Sequence, residues 1–403
     1  MVNISKLIQH YTDLDQEYGA SNYNPIPVVI SRGKGVWVWD INNKKYLDCL
    51  AAYSALNFGH LHPKIVKAVK EQISQLTLTS RAYHNDKLGL FLRELCEFSN
   101  MDKALPMNTG AEAVETGIKI ARRWGYQKRK VEKNKAEIIV CENNFHGRTT
   151  TISGFSSNLN SYNNFGPPTP GFIKIPFNDT EALKKSVNKN TVGFLVEPVQ
   201  GEAGVIIPDK GYLKAIRDIC EDNKVLLILD EIQTGLGRTG RNFAFESESI
   251  RPDILLLGKA LGGGVYPVSA ALAVDDIMDV MDPGSHGSTF GGNPLAAAVG
   301  LTSLKLLQSK NLSQKANKSG IYFLNRLKEL YSEKIKDIRG IGLMIAIEFK
   351  RELVKSREIV LELMKNGLLT KDTHRKTIRI TPPLIIEKKE LDYALNVIKH
   401  VII

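Results

Sequence analysis

The sequence predicts an α/β fold with a mostly parallel central sheet and a smaller α+β domain. The short apolar runs Val225–Leu229 and Leu255–Leu257 are typical of strands buried on both faces of a parallel sheet. The chain between them is long enough for one strand–crossover–strand unit, so we expect two neighbouring parallel strands. After about residue 298 the pattern changes to amphipathic helices and shorter strands, which indicates the second domain.

The N-terminal segment has a different pattern from the central region. Residues 3–18 are amphipathic and predict a helix, whereas Val36–Asp40 alternates as an antiparallel strand does. An Asn-Asn turn separates that strand from Lys44–Leu47. These short elements predict a small piece packed at the domain edge. The predicted divisions are an N-terminal segment, a large domain and a C-terminal domain: 1–53, 54–298 and 299–403.

Two strands are predicted in the C-terminal domain, and strands and helices alternate in the large one. Ile338–Ile347 reads as one strand with glycines at its start, and Lys376–Leu384 as a strand stopped by prolines. Glu137–Cys141 and Phe194–Val196 read as buried strands. A helix is expected to follow Asn108 and to run to about Trp124.

Composition excludes several classes of protein. With 43% hydrophobic and 24% charged residues, the chain is neither disordered nor fibrous. The net charge of +11 is not accompanied by aromatic stacking positions or a nucleic-acid motif, so we expect no nucleic-acid partner. No apolar run approaches the ~18 residues of a membrane span. The acidic N-terminal residues are unlike a mitochondrial presequence, and we expect a cytoplasmic protein.

Cysteine and histidine spacing argues against a metal centre. The four cysteines are scattered and form no Cys-x-x-Cys pair, so they are expected to be reduced thiols in the core. His60 and His62 are the only close histidine pair, and no further ligand spacing accompanies them. We therefore expect no metal.

An acidic residue and a lysine follow the two apolar runs. Asp230 follows one run and Lys259 the other, so parallel strands would bring both to the sheet edge where open α/β sheets bind ligands. Burial lowers the pKa of a lysine toward the neutral amine that attacks carbonyls. A lysine after a strand is otherwise a solvated strand end, but the acid on the next strand outweighs that alternative. A Schiff-base lysine with an acid for a pyridine nitrogen is what pyridoxal 5′-phosphate (PLP) requires.

Three motifs around these residues carry a resemblance to a known family. LDEIQTGLGRTG at 229–240, PDILLLGKALGGGVYPVSA at 252–270 and HGSTFGGNPLAAA at 286–298 resemble the class III (ω-) aminotransferases of the fold-type-I PLP enzymes. The details are most similar to the ornithine-using members. The resemblance implies a fold-type-I PLP transferase that binds PLP and works as a homodimer with shared active sites.

The resemblance also implies which residues hold the cofactor. Lys259 bonds to PLP, Asp230 pairs with its ring nitrogen, and both are catalytic. Backbone N–H groups at a helix start attract phosphate, and the matching pair in this chain is Gly110 and Ala111. The remaining implied cofactor residues are Phe145 on the ring face, Gln233 at the phenolic oxygen O3′, and Ser288 and Thr289, the latter reaching the phosphate in the neighbouring subunit.

Five residues are implied to bind substrate. Arg148 matches the arginine that forks onto a substrate carboxylate, a geometry that lysine does not reproduce. Arg379 matches the residue that binds the α-carboxylate of glutamate, and Glu202 is expected to cancel its charge when ornithine is bound. The other two are the tyrosines that contact the substrate amino group and side chain in the family, Tyr23 and Tyr53.

The implied reaction is ping-pong transfer of the δ-amino group of ornithine to 2-oxoglutarate. The nearest alternatives are amino transfer from acetylornithine, 4-aminobutyrate or lysine, and Tyr23 and Tyr53 favour ornithine over them. A binding module that keeps the fold without turnover is a further alternative, which intact Lys259, Asp230 and Gln233 disfavour. His146 stands where many family members have tryptophan, and we assign it no catalytic role.

Overall fold

The structure, a computed structural model, describes residues 4–330, 332–350 and 352–403. Its centre is a seven-stranded sheet with the order β4-β10-β9-β8-β7-β5-β6. The strands in chain order are β4 Lys103–Met107, β5 Glu137–Cys141, β6 Phe172–Ile175, β7 Thr191–Val196, β8 Leu226–Asp230, β9 Ile254–Leu257 and β10 Ser269–Ala273.

The central sheet is mostly parallel, as predicted. Only β10 runs against its neighbours β9 and β4. Strands β7, β8 and β9 are buried along their whole length, which explains why their sequences are continuous apolar runs rather than alternating ones. Strands β8 and β9 are adjacent and parallel, with Asp230 opposite Leu256. The prediction that neighbouring strand ends carry Asp230 and Lys259 is therefore confirmed.

Helices cover both faces of this central sheet, and further helices pack against two smaller sheets. The helix that starts at Gly110 continues to Gln127, slightly beyond the predicted end, and the N-terminal helix spans Ile4–Tyr18. The other helices are Pro63–Ile73, Leu88–Ser99, Thr150–Gly154, Leu159–Tyr162, Thr180–Ser186, Tyr212–Asp222, Asp275–Met278, Pro294–Ser309, Leu312–Lys328, Ser356–Lys365 and Lys388–Ile402, with 3-10 turns at Ala244–Glu248 and Lys259–Gly262.

Two four-stranded sheets flank the central one. The first has the order β1-β2-β3-β13, and the second has the order β11-β12-β15-β14. Strand β13 pairs in parallel with β3, so a C-terminal strand completes the N-terminal sheet. The domain boundaries remain a prediction. The strands are β1 Ile30–Lys34, β2 Trp37–Asp40, β3 Lys45–Asp48, β11 Ile335–Ile341, β12 Met344–Phe349, β13 Leu368–Leu369, β14 Lys371–Thr373 and β15 Thr377–Ile380.

The single strand predicted over Ile338–Ile347 is wrong. This stretch is the hairpin of β11 and β12, which pair antiparallel with Ile341 opposite Met344. Gly342 has φ +55°, a left-handed conformation that glycine adopts without steric penalty and that reverses the chain here. The apolar residues on both sides of the turn gave no sign of the break.

The same turn lies against the helix Leu312–Lys328 and leads to a stability prediction. A Cβ placed on Gly320 of that helix would overlap the backbone carbonyl of Gly342. The overlap is with backbone atoms, which move less easily than the end of a flexible side chain. We therefore expect Gly320→Ala to lower the free energy of unfolding by about 3 kcal/mol. Urea unfolding measures this loss.

The matched control is another helical glycine. Gly89 lies in the helix Leu88–Ser99, and no atom lies within 4 Å of a Cβ built there. Alanine is the better helix former by up to about 1 kcal/mol, so Gly89→Ala is expected to leave stability unchanged or to raise it. Equal urea midpoints for the two variants would mean that the helix and the hairpin turn do not touch.

No helix within the described ranges is both long and apolar enough to cross a membrane.

Candidate active site

A cavity of about 200 Å³ opens at the carboxyl ends of the central strands. Strands β5, β7, β8 and β9 all end at its wall, which is where an open α/β sheet places its ligands. The sequence-predicted residues that line it are Gly110, Ala111, Phe145, Glu202, Asp230, Gln233 and Lys259. One side of the sheet therefore brings together a lysine, three acidic or amide side chains, an aromatic ring and a helix start.

Lys259 lines this cavity and lies two residues after the end of β9. Its φ of +42° turns the chain sharply after Gly258, so that the side chain leaves the sheet edge instead of continuing along it. Burial lowers the pKa of Lys259, although the nearby carboxylates Glu202, Asp230 and Glu197 oppose the shift. A lowered pKa increases the fraction of neutral, nucleophilic amine.

Asp230 is held on two sides at the end of β8. One carboxylate oxygen accepts the backbone N–H of Ile232 at 3.0 Å, and the other shares a 2.7 Å hydrogen bond with Nδ1 of His146. Both side chains are almost completely buried. Burial lowers the pKa of His146, but the hydrogen bond and the charge of Asp230 outweigh it, and the pKa is raised overall. The hydrogen bond therefore ties the loop after β5 to the end of β8.

Glu197 is a second buried carboxyl group in the same wall. It follows β7 and accepts the backbone N–H groups of Phe145, at 2.9 Å, and Gly201, at 3.3 Å. Burial raises its pKa to about 7, because the charged form loses its water and the nearby charge of Asp230 adds to the shift. Glu197 therefore fixes the two loops that carry Phe145 and Glu202.

The helix Gly110–Gln127 begins at the edge of the cavity. Thr109 caps it by accepting the N–H of Glu112, and the Glu112 side chain returns to the N–H of Thr109. The N–H groups at the first helical positions, Gly110 and Ala111, have no acceptor within the helix. This helix start can therefore receive an anion, as the sequence predicted.

Arg379 and Glu202 form an ion pair at the cavity wall opposite the helix. A terminal nitrogen of Arg379, Nη1, lies 2.5 Å from Glu202 Oε1, and Arg379 is buried. Burial raises the pKa of Glu202, but the charge and hydrogen bond of Arg379 outweigh it and hold the pKa below its usual value. The Gln233 side chain donates to the same Glu202 oxygen at 3.4 Å.

Tyr53 lies beside this ion pair, and Arg148 lies near Tyr23 and Phe145. The guanidinium of Arg379 lies 5.3 Å from the ring centre of Tyr53, and that of Arg148 lies 5.9 Å from the rings of both Tyr23 and Phe145. Tyr23 is exposed. Arg148 and Glu202 also line a wider cleft of about 720 Å³, together with residues 371–375.

Two predicted cofactor residues lie apart from the cavity of their own chain. Ser288 accepts a 2.8 Å hydrogen bond from the side chain of Asn108, and Thr289 is exposed on the loop beside it. Neither lines the cavity of about 200 Å³. Among the residues that the structure describes, no cluster of three or more histidine, cysteine or acidic groups is arranged to hold a metal.

Sequence reasoning missed the contact of His146 with Asp230. A partial signal was present, since Asp230 is the last residue of β8, Glu197 directly follows β7, and His146 lies five residues beyond the end of β5. Polar residues at or beyond the ends of buried parallel strands share one sheet edge, so the common edge could have been predicted for all three, whereas the contact itself depends on the strand order.

Comparison with known proteins identifies the family to which this chain belongs. The Aminotransferase class-III model matches residues 18–402. The ornithine aminotransferase of Brevibacillus brevis is 52% identical over 387 residues, covering 96% of both chains. The solved ornithine aminotransferase of Toxoplasma gondii ME49 superposes with a TM-score of 0.97 at 44% identity, covering 98% of this chain and 94% of that one.

A solved acetylornithine aminotransferase, that of Elizabethkingia anophelis, is also similar. It superposes with a TM-score of 0.90 at 46% identity and covers 98% of both chains. All three relatives span nearly the whole length of this chain, including the strands that carry Asp230 and Lys259. The chain belongs to the class-III aminotransferases, which are enzymes that depend on PLP.

Proposed function

We propose that this aminotransferase moves the δ-amino group of L-ornithine to 2-oxoglutarate in a ping-pong reaction. The products are glutamate, and glutamate-5-semialdehyde that cyclises to pyrroline-5-carboxylate. The observation that carries the proposal is the ion pair between buried Arg379 and half-buried Glu202 beside the cavity, since the site can offer a neutral pair to one substrate end and a free arginine to the other. The ornithine aminotransferase names of relatives at 51–52% identity support it.

The cavity wall fits PLP group by group. The free N–H groups of Gly110 and Ala111 suit its phosphate. A Cβ at Gly110 would lie 3.2 Å from the side chain of Ile232, so glycine leaves room at this edge. The carboxylate of Asp230 suits the ring nitrogen, and the amine of Lys259 suits the aldehyde. Gln233 suits the phenolic oxygen, and the Phe145 ring suits one face of the cofactor ring.

When bound, PLP supplies an aldehyde that bonds amines and a cationic ring that accepts electrons from the neighbouring carbon. The chain supplies the rest. Lys259, with its lowered pKa, would hold and move the proton at Cδ of ornithine. Asp230, fixed by His146 and the Ile232 N–H, would present its carboxylate to the ring nitrogen and hold the proton there.

Substrate choice is proposed to depend on Glu202. With ornithine, Glu202 stays paired with Arg379, Arg148 binds the α-carboxylate, and Tyr23 binds the α-amino group, so the δ-amine reaches the reacting carbon. With glutamate, Glu202 turns away, Arg379 binds the α-carboxylate and Arg148 binds the γ-carboxylate. Leaving one charge of a buried pair unmatched costs about 3–5 kcal/mol, which is enough to decide which substrate end enters.

Glu202→Ala tests this switch. Without the carboxylate, Arg379 is always available for an α-carboxylate, so we expect kcat/KM for glutamate to rise relative to that for ornithine by at least tenfold, the equivalent of about 1.4 kcal/mol. Separate measurement of the two half-reactions gives this ratio. Glu202→Gln should change it in the same direction, because the charge is what matters. Glu181→Ala, an exposed glutamate, is the control. An unchanged ratio in Glu202→Ala would refute the switch.

Acetylornithine is the second candidate donor. The similarity to the Elizabethkingia enzyme favours it. The two donors differ in the α-amino group, which is free and cationic in ornithine and acylated in acetylornithine. Tyr23, exposed and beside Arg148, is the residue that we propose distinguishes them.

A donor panel separates the candidates. The holoenzyme is incubated with 2-oxoglutarate and, in turn, ornithine, acetylornithine, 4-aminobutyrate and lysine. Pyrroline-5-carboxylate is trapped with o-aminobenzaldehyde, and glutamate is measured in every reaction. We expect ornithine to give the highest kcat/KM. A higher value for acetylornithine would replace ornithine as the proposed donor.

The proposal includes a homodimer. Ser288 and Thr289 lie away from their own cavity on an exposed loop, and Phe290 next to them is 49% exposed, so this loop is available to a second copy. We propose that it reaches the phosphate site of the neighbouring subunit. The domain boundaries after residues 53 and 298 and the cytoplasmic location are also proposals.

A further inference from the structure

A left-handed helical turn, Ala51–Ser54, carries Tyr53 to the active site. Four consecutive residues have positive φ, with values of 48°, 45°, 58° and 76° along the turn. None is glycine, and each therefore brings its Cβ close to a carbonyl oxygen. Among the described residues, none provides a hydrogen-bond partner for the buried hydroxyl of Ser54. Such a conformation persists only when the surrounding structure enforces it.

Asp48 is the main anchor of this turn. One of its carboxylate oxygens accepts the N–H groups of both Leu50 and Ala51, each at 2.9 Å. The other oxygen lies 2.8 Å from Nε2 of His60, on the segment that leaves the turn. The entry and the exit of the turn are thus tied to one carboxylate.

Residues that follow β15 hold the other side of the turn. The N–H of Thr381 donates to the carbonyl of Cys49 at 2.8 Å, and its hydroxyl donates to the carbonyl of Leu50 at 3.0 Å. Thr381 lies two residues after Arg379. The left-handed turn and the substrate arginine are therefore fixed to each other through the backbone.

The turn also contacts the Glu202–Arg379 ion pair directly. The carbonyl oxygen of Tyr53 accepts the side chain N–H of Gln233 at 3.3 Å, and the same nitrogen donates to Glu202 at 3.4 Å. The Tyr53 ring faces the Arg379 guanidinium at 5.3 Å. A displaced turn would therefore remove support from both members of the pair.

We propose that Asp48 and His60 are positioning residues that set substrate-end selection, because they hold the left-handed turn that keeps the Glu202–Arg379 pair closed. Neither touches the cavity. This inference rests on the proposed function, in which a closed pair favours the δ-amine of ornithine. It assigns the strained turn a role in specificity rather than in stability alone.

The test compares variants of the holoenzyme in the two half-reactions. We expect Asp48→Ala to lower kcat/KM for ornithine relative to that for glutamate by roughly tenfold, since small misplacements near reacting groups have effects of this size or larger. His60→Ala should act in the same direction with a smaller effect. Asp48→Asn retains an oxygen for the two N–H groups and should keep most of the wild-type ratio.

Two double variants distinguish a positioning role of Asp48 from a general loss of structure. Glycine adopts positive φ freely, and Ala52 is exposed, so Ala52→Gly should restore the ratio of Asp48→Ala to within about threefold of wild type. In a Glu202→Ala background the pair is already absent, so adding Asp48→Ala should not change the ratio further. An equal effect of Asp48→Ala in both backgrounds would overturn the proposal.

Hydrogen exchange gives a readout that does not depend on activity. In Asp48→Ala the amides of Leu50, Ala51 and Tyr53 should exchange at least about tenfold faster, and Ala52→Gly should reverse part of this increase. Unchanged exchange in Asp48→Ala and in His60→Ala would mean that these residues do not hold the turn. Failure of the proposed function is visible separately, as a wild-type enzyme that does not use ornithine.

Discussion

Lys259→Ala is expected to lower kcat for the full reaction by at least about 10³-fold. General acid–base catalysis alone contributes about 10²–10⁴-fold, and this lysine is also the residue that would bond the cofactor. Among the described residues that line the cavity, Lys259 is the only lysine, and burial lowers its pKa. Steady-state turnover of ornithine with 2-oxoglutarate measures the loss.

Lys259→Arg separates the amine from its positive charge. Arginine keeps the charge near Glu202 and Asp230 but stays protonated, so it neither bonds an aldehyde nor removes a proton. We expect it to be as inactive as Lys259→Ala. Both variants should still take up PLP, without the absorbance band of lysine-bound cofactor, and Lys214→Ala, an exposed lysine, should behave as wild type. Turnover within tenfold of wild type in Lys259→Ala would move this role to another residue.

The sequence was sufficient to predict the sheet edge that carries Asp230 and Lys259. Continuous apolar runs identify buried parallel strands whatever their neighbours are, and the residue after each run necessarily lies at the same edge. The separation of the two runs indicated adjacency, which the pairing of β8 with β9 confirms. The apolar pattern of each strand and the length of chain between the two strands were together sufficient to predict this part of the fold.

The contact of His146 with Asp230 depends on strand order instead. β5 and β8 lie on either side of β7, so the two side chains meet across an intervening strand. Spacing along the chain does not give that order. The family resemblance gave no help either, because many members have tryptophan at the position of His146.

The left-handed turn Ala51–Ser54 could not be predicted from local preference. Alanine, tyrosine and serine favour negative φ, and nothing in Ala-Ala-Tyr-Ser favours the conformation observed. Hydrogen bonds from Asp48 and from the distant Thr381 impose it. The Gly342 turn was missed for a different reason: the apolar residues on both sides hid a glycine whose positive φ is decisive.

The second large effect is expected for Asp230→Asn. The amide has the same shape and its oxygen can still accept the N–H of Ile232, but it carries no charge to hold a proton on a ring nitrogen. Loss of one preorganised electrostatic partner of a reacting group lowers kcat by about 10²–10³-fold, and we expect that loss in both half-reactions. An exposed aspartate gives the matched control, Asp218→Asn, which should leave both half-reactions unchanged.

His146→Phe tests whether the histidine acts through Asp230. Phenylalanine fills the buried space beside Phe155 but removes the 2.7 Å hydrogen bond, so Asp230 remains present and loses one partner. We expect kcat to fall by about tenfold, less than in Asp230→Asn, because a carboxylate still faces the ring. In the Asp230→Asn background the same replacement should have a much smaller effect, since there is no charge left for His146 to stabilise. Additive losses in the double variant would show that the two side chains act independently, and His146 would then not act through Asp230.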